Sequence, residues 1–248
     1  VLVTLGTNQA LGANSAQTFP YACNSVQRVF IKVDDDATAS GYNVTVQLGQ
    51  RTIINGASGF GLLCFNALYG GDEFDGSEAH LSIDLGNHEL LDNENLYVTV
   101  TAGSAALTAV DVSALVDEPG NELPIRYTEY SDNTFTAENV KMALCFSNGG
   151  SAIDEDATNC EIRNSISSSS PTFISSTSWY SSTAIHPRNS AGLLCSNPVP
   201  LTTSFNYPSS ATVDRILIAS QMSTTARAVA QGRRSVQQAK QAVTRGRI

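Results

Sequence analysis

The sequence predicts an all-β fold of packed antiparallel sandwiches that ends in a basic helical tail. Three observations carry this reading. Apolar and polar residues alternate with period two through most of the body, turn-forming clusters separate the alternating runs, and the charge reverses near residue 221.

The strands come first. Val29, Ile31 and Val33 alternate with Phe30 and Lys32, and Val44, Val46 and Leu48 alternate with Asn43, Thr45 and Gln47. Leu81, Ile83 and Leu85 flank Ser82 and Asp84, and Leu96, Val98 and Val100 flank Tyr97 and Thr99. Met142, Leu144 and Phe146 and the run Ile216-Leu217-Ile218 follow later. Each pattern places one face of a strand against a core and the other towards solvent. Turns are expected at Asp34-Asp35-Asp36, Asn55-Gly56, Gly70-Gly71-Asp72, Gly86-Asn87, Asp92–Asn95 and Asn148-Gly149-Gly150. Many short strands so punctuated indicate antiparallel sandwiches rather than βαβ units.

The 248 residues suffice for one large β domain or two smaller ones. A division into two is expected, at residues 1–118 and 119–220, with the tail at 221–248. Val116-Asp117-Glu118-Pro119-Gly120-Asn121 reads as a linker, and Gly61–Asn66 is echoed by Gly192–Asn197, 131 positions later. The second half would then carry Ser165–Ser182 as an insertion. Its ten serines are interleaved with Phe173, Ile174, Trp179 and Tyr180, which argues for ordered strands or a packed loop, with Trp179 as a core or interface anchor.

Charged residues make up only 15% of the chain, so its polar surface comes from Ser, Thr, Asn and Gln. Burying a hydroxyl or amide costs less than burying an ion, and such surfaces suit a protein that packs against neighbours. Residues 1–220 hold eight basic and 23 acidic residues, a formal −15. From Gln221 onward there are six basic residues and no acid: Arg227, Arg233, Arg234, Lys240, Arg245 and Arg247. Thr224 or Thr225 caps an expected helix there. Val229, Val236 and Val243 recur every seven residues beside Arg233, Lys240 and Arg247, giving a thin apolar stripe flanked by cations. The stripe is too small to anchor in lipid alone. The cations suit an anionic partner, either a membrane surface or a nucleic acid.

No catalytic signature is present. His80, His88 and His186 lie at no zinc-site spacing, and no nucleophile elbow occurs. Gly56–Gly61 is not a phosphate loop, because no Gly-Lys-Ser/Thr follows and no helix is expected. The five cysteines are odd in number and lack CxxC spacing. Cys64 and Cys195 read as buried thiols, and the set points to a reducing compartment rather than a disulfide framework. No cofactor is expected. Acid clusters at Asp34–Asp36, Asp72–Glu78 and Asp154–Asp156 read as solvated loops, with structural Ca²⁺ as the alternative. Asn43-Val44-Thr45 fits the glycosylation triplet but falls within an expected strand. The first residue is Val1 and no signal peptide is seen, so the chain was trimmed or starts late.

Two sandwich halves with an internal echo at Gly61–Asn66 and Gly192–Asn197, a low-charge surface, no catalytic set and a basic terminal helix resemble one family. They are similar to the double jelly-roll major capsid proteins of tailless icosahedral phages with an internal membrane. The resemblance lies in architecture, with no signature motif. It implies an all-β fold of two tandem jelly-roll β-sandwiches with a C-terminal basic α-helix. It also implies a structural, non-enzymatic subunit of a virion, assembled in the host cytoplasm. Three copies would form a pseudo-hexagonal trimer that meets other capsid proteins. The tail would point inward to membrane or genome, and no small-molecule substrate is implied. The competing reading is an extracellular pilus-type or carbohydrate-binding sandwich, with aromatics around Trp179 and Tyr180 stacking on sugars.

Overall fold

The structure is a computed structural model that describes residues 1–33, 41–59, 61–62, 65–66, 80–91, 93–120, 122–131, 134–146, 190–204 and 215–222. These residues form β1 (Leu2–Leu11), β2 (Ala16–Tyr21), β3 (Ser25–Val33), β4 (Tyr42–Leu48), β5 (Arg51–Ser58) and β6 (His80–Glu89). They continue with β7 (Leu96–Ala102), β8 (Leu107–Val116), β9 (Ile125–Tyr130), β10 (Thr134–Phe146), β11 (Ser190–Ser204) and β12 (Arg215–Gln221). One sheet has the order β1-β8-β3-β6, and the other runs β11-β10-β12-β9-β5-β4-β7-β2.

The chain crosses repeatedly between the sheets. β1, β3, β6 and β8 build the first, while β2, β4, β5 and β7 build one end of the second. Eight antiparallel strands divided this way are a jelly-roll sandwich. Period-two alternation explains its core. Val29, Ile31, Ile83, Val110 and Val112 on one sheet meet Phe19, Val44, Val46, Val98 and Val100 on the other. On β4, β7 and β2 the outward side of the second sheet is rich in hydroxyls and amides. Thr18 pairs with Thr99 and Thr99 with Thr45, and Pro20 pairs with Tyr97 and Tyr97 with Gln47. The hydroxyls of Thr18 and Thr99 lie 2.8 Å apart.

β9–β12 extend the second sheet beyond β5, through a parallel bridge between Ile54 and Tyr127. Their order, β9-β12-β10-β11, sets the first and last strands of the group side by side, as β1 and β8 are in the other sheet. β10 and β11 are long, and their pairing shifts register between Ala137 and Met142. Asn139 takes the left-handed conformation there, at φ 53°. In β12, Ile216, Leu217, Ile218 and Ala219 are all buried, so this run is covered on both faces rather than one.

Several sequence expectations need correction. Asn55-Gly56 and Gly86-Asn87 do not separate strands; they lie inside β5 and β6. Gly56 and Gly86 have φ of +60° and +66°, and the pairing slips beside each, so both are β-bulges. The β4–β5 turn is instead at Gly49-Gln50. Around Gly56–Gly61, where no helix is expected, Gly59, Gly61, Leu62, Phe65 and Asn66 are helical. Gly192–Asn197 lies within β11, so the echo joins a helical stretch to a strand and marks no equivalent positions. At the other end, β12 runs to Gln221, and the Met222 N–H still donates to the Pro124 carbonyl at 2.8 Å. The strand therefore reaches past residue 220.

Candidate functional site

The described polar groups gather where β9 meets the first jelly roll. The bulge at Gly86 brings β6 against the segment leading into β9. A Cβ on Gly86 would lie 2.2 Å from the Leu123 carbonyl oxygen and 3.2 Å from Pro124 Cα, so only glycine fits. The neighbouring side chains then hold the 117–125 segment. The Asn87 amide donates to the Gly120 carbonyl at 2.8 Å, and the Gln27 amide donates to the Glu118 carbonyl at 3.0 Å. His88 Nε2 lies 2.9 Å from the Ile125 carbonyl. His88 is buried, and its pKa is lowered to about 4, chiefly by loss of hydration, with the Arg51 charge adding to this and the Ile125 hydrogen bond opposing it.

Tyr127 closes the junction. Its hydroxyl donates to the Asp84 carbonyl at 2.6 Å, and its ring meets Phe65 edge to face at 5.4 Å. Burial pushes its phenol well above the usual range, so it stays protonated. One turn of the helical stretch explains the contact. Leu62, Phe65 and Asn66 stand at i, i+3 and i+4 and share a face. Glu129 completes β9's links by accepting the Ser58 N–H at 2.7 Å and pairing with Arg215 at 3.5 Å.

A cavity of about 160 Å³ lies beside this junction. Leu62, Phe65, Ile83, Tyr127 and Met142 line it with apolar surface, and Arg28, Asn66, Ser82 and Asp84 with polar groups. Arg28 holds its partners loosely, at 3.3 Å from the Ser82 hydroxyl and 3.9 Å from the Asp84 carboxylate. Among the described residues, no nucleophile–base pair lines it. Cys23 lies elsewhere, with its thiol pushed up to about 11, mainly by burial and also by the Asp117 charge. Among the described residues, no group of three His, Cys, Asp or Glu is placed to hold a metal. Within the same residues, no helix is long and apolar enough to cross a membrane.

The sequence-predicted site residues are not among the described residues of this region. Arg227, Arg233, Arg234, Lys240, Arg245 and Arg247 lie outside the described residues. So do Trp179, Tyr180, His186, the stretch 165–182, the three acid clusters and the side chains of Cys64 and Cys195. His80 is exposed and His88 is core. Asn43 is exposed on β4, within a strand as its alternation implies. The junction itself was missed, although the spacing of Leu62, Phe65 and Asn66 was a readable signal for its helical side.

Two sheets built by repeated crossing, with the second prolonged by four further strands, define an all-β jelly-roll protein, and the chain resembles the double jelly-roll capsid proteins. Among solved structures it is similar to the STIV major capsid protein, with 12% identity and a TM-score of 0.58, over 89% of this chain and 95% of that one. It is also similar to the major capsid protein P2 of bacteriophage PM2, with 9% identity and a TM-score of 0.52, over 90% of this chain and 98% of that one. At such identities the likeness lies in the fold. No family model matches the sequence, and no curated protein matches it.

Proposed function

We propose that this chain is a major capsid protein, a structural subunit that self-assembles into an icosahedral shell. One observation carries the reading. The likeness to two major capsid proteins runs through 89% and 90% of this chain and 95% and 98% of theirs, which supports a correspondence beyond a single sandwich. In this reading residues 1–118 and 119–220 are tandem jelly rolls, and three copies form a pseudo-hexagonal trimer. The subunit belongs to the virion and is assembled in the host cytoplasm. The tail, with Arg227, Arg233, Arg234, Lys240, Arg245 and Arg247, faces inward to the membrane or the genome. Its charge supports that role, because each cation near an anionic surface contributes about 1 kcal/mol.

Sizing of the purified full chain, followed by electron microscopy, tests this. A trimer that closes into shells is expected, and a monomer that binds glycans overturns it. The tail is tested by deleting residues 223–248 and measuring binding to anionic vesicles and to duplex DNA across a salt series. With six cations on DNA, log K should fall with log salt at a slope of about −5. A truncated chain that binds as the full chain does, at every salt concentration, removes the electrostatic role.

A further inference from the structure

The first jelly roll has two outward faces of opposite character. On β1-β8-β3-β6, Arg28, Lys32, Asp84 and Asp111 alternate away from the core, with Lys32 in register with Asp111. On β5-β4-β7-β2 the described outward rows are Ala16–Thr101–Asn43, Thr18–Thr99–Thr45 and Pro20–Tyr97–Gln47, without a carboxylate or a basic group. Such a face is conspicuous on a body with a formal charge of −15. We propose that this uncharged face is where a second copy of the chain docks. The inference rests on the capsid reading and adds which surface makes the contact.

Three physical arguments support it. Two bodies of equal negative charge repel wherever acids meet, and they approach with least repulsion where neither sign is displayed. Threonine hydroxyls and glutamine or asparagine amides are buried at lower cost than ions, and interface centres are correspondingly poor in charge. The adjacent sheet edge is blunted, because Pro20 on β2 has no N–H to donate. Strand-to-strand addition is therefore impeded at that edge, so the face can meet a neighbour without sheet continuation there. On β9, where the same sheet continues, exposed Arg126 ends the uncharged region.

The test compares two full-length double variants that each make the chain more negative by two. Asn43→Asp with Gln47→Glu charges the neutral face with almost no change of shape. Thr4→Glu with Lys32→Gln makes the same charge change on the opposite face. Thermal melts establish that both fold. Should the first double variant be unstable, Asn43→Asp alone, at an exposed position, gives the same readout. Sedimentation then measures the concentration at half-assembly. The face variant is expected to need at least tenfold more protein, while the opposite-face variant stays within twofold of wild type. Equal weakening of both would mean that net charge governs assembly, and overturns the inference. A wild type that assembles alongside an unaffected Asn43→Asp/Gln47→Glu variant overturns this inference alone. A wild type that stays monomeric overturns the capsid reading and the inference with it.

Discussion

His88 Nε2, near the end of β6, donates a hydrogen bond to the Ile125 carbonyl at the start of β9, 2.9 Å away. A carbonyl only accepts, so Nε2 carries the proton, and the neutral ring already meets this partner. Protonating the ring would place a charge where burial removes its hydration, with Arg51 adding repulsion, and its pKa accordingly falls from 6.5 to about 4. Between these values the unfolded chain binds a proton that the native chain does not. The stabilisation is complete above pH 6.5 and is lost as the pH falls towards 4, by about 3 kcal/mol. Urea unfolding of wild type and His88→Gln at successive pH values measures this. Glutamine keeps a donor for Ile125 but does not titrate. The stability of wild type relative to the variant should fall with acid, and a difference independent of pH would refute the assignment.

Gly86→Ala should be among the most damaging single substitutions. Its φ of +66° costs an L residue about 1 kcal/mol, and the new methyl would lie 2.2 Å from backbone at Leu123, which cannot rotate away. A loss of about 3 kcal/mol or more, or insoluble expression, is expected. Gly56→Ala is the internal comparison. It has a similar φ but nothing within 4 Å of its Cβ, so it should lose only the conformational part, about 1 kcal/mol. Thermal denaturation of the pair separates strain from collision.

These two glycines also show what was legible in the sequence. Alternation located β3, β4, β6, β7 and β10, because Val44, Val46 and Leu48, and likewise Leu96, Val98 and Val100, are all buried on one side, and the apolar run Ile216-Leu217-Ile218 located β12. Asn-Gly and Gly-Asn predict turns because a left-handed residue serves a turn and a bulge equally, and only pairing across strands tells them apart. β1 escaped notice because its register shifts at Thr4/Gly6, Gly6/Gln9 and Gln9/Leu11 destroy the period of two. The helical stretch escaped because Gly59 and Gly61 suggest a loop, whereas Phe65 is ordered by its contact with Tyr127, 62 positions away. The Gly61 and Gly192 segments share letters but differ in structure, which shows how far tertiary pairing overrides local sequence. The junction at Ile125 and Tyr127 depends on such distant partners, and the local spacing of Leu62, Phe65 and Asn66 announces its helical side but not what that side meets.

Tyr42→Phe should stabilise the protein. Tyr42 is buried to 1% exposure, and its hydroxyl has no hydrogen-bond partner among the described residues. The same burial pushes its phenol far above the usual range. An unsatisfied buried hydroxyl costs about 1 kcal/mol or more, and phenylalanine keeps the ring that packs against Gly59 while removing that penalty. A rise in denaturation midpoint with an unchanged denaturant slope is expected. A fall would show that the hydroxyl has a partner in the folded protein.

Tyr127 acts at the junction through two separable interactions. Tyr127→Phe removes only the hydroxyl and leaves the Asp84 carbonyl without its 2.6 Å donor, which should cost about 1 kcal/mol. Tyr127→Leu also removes the edge-to-face contact with Phe65, whose ring centre is 5.4 Å away. Such aromatic pairs contribute about 1 kcal/mol beyond their buried area. A double-mutant cycle with Phe65→Leu isolates that part. If the two rings support one another, the double variant should be less destabilised than the two single losses added together, by about 1 kcal/mol. Strict additivity would mean that each ring is held by its other neighbours. The remaining apolar lining of the cavity, Leu62, Ile83 and Met142, would then carry more of the contact between the helical stretch and β9.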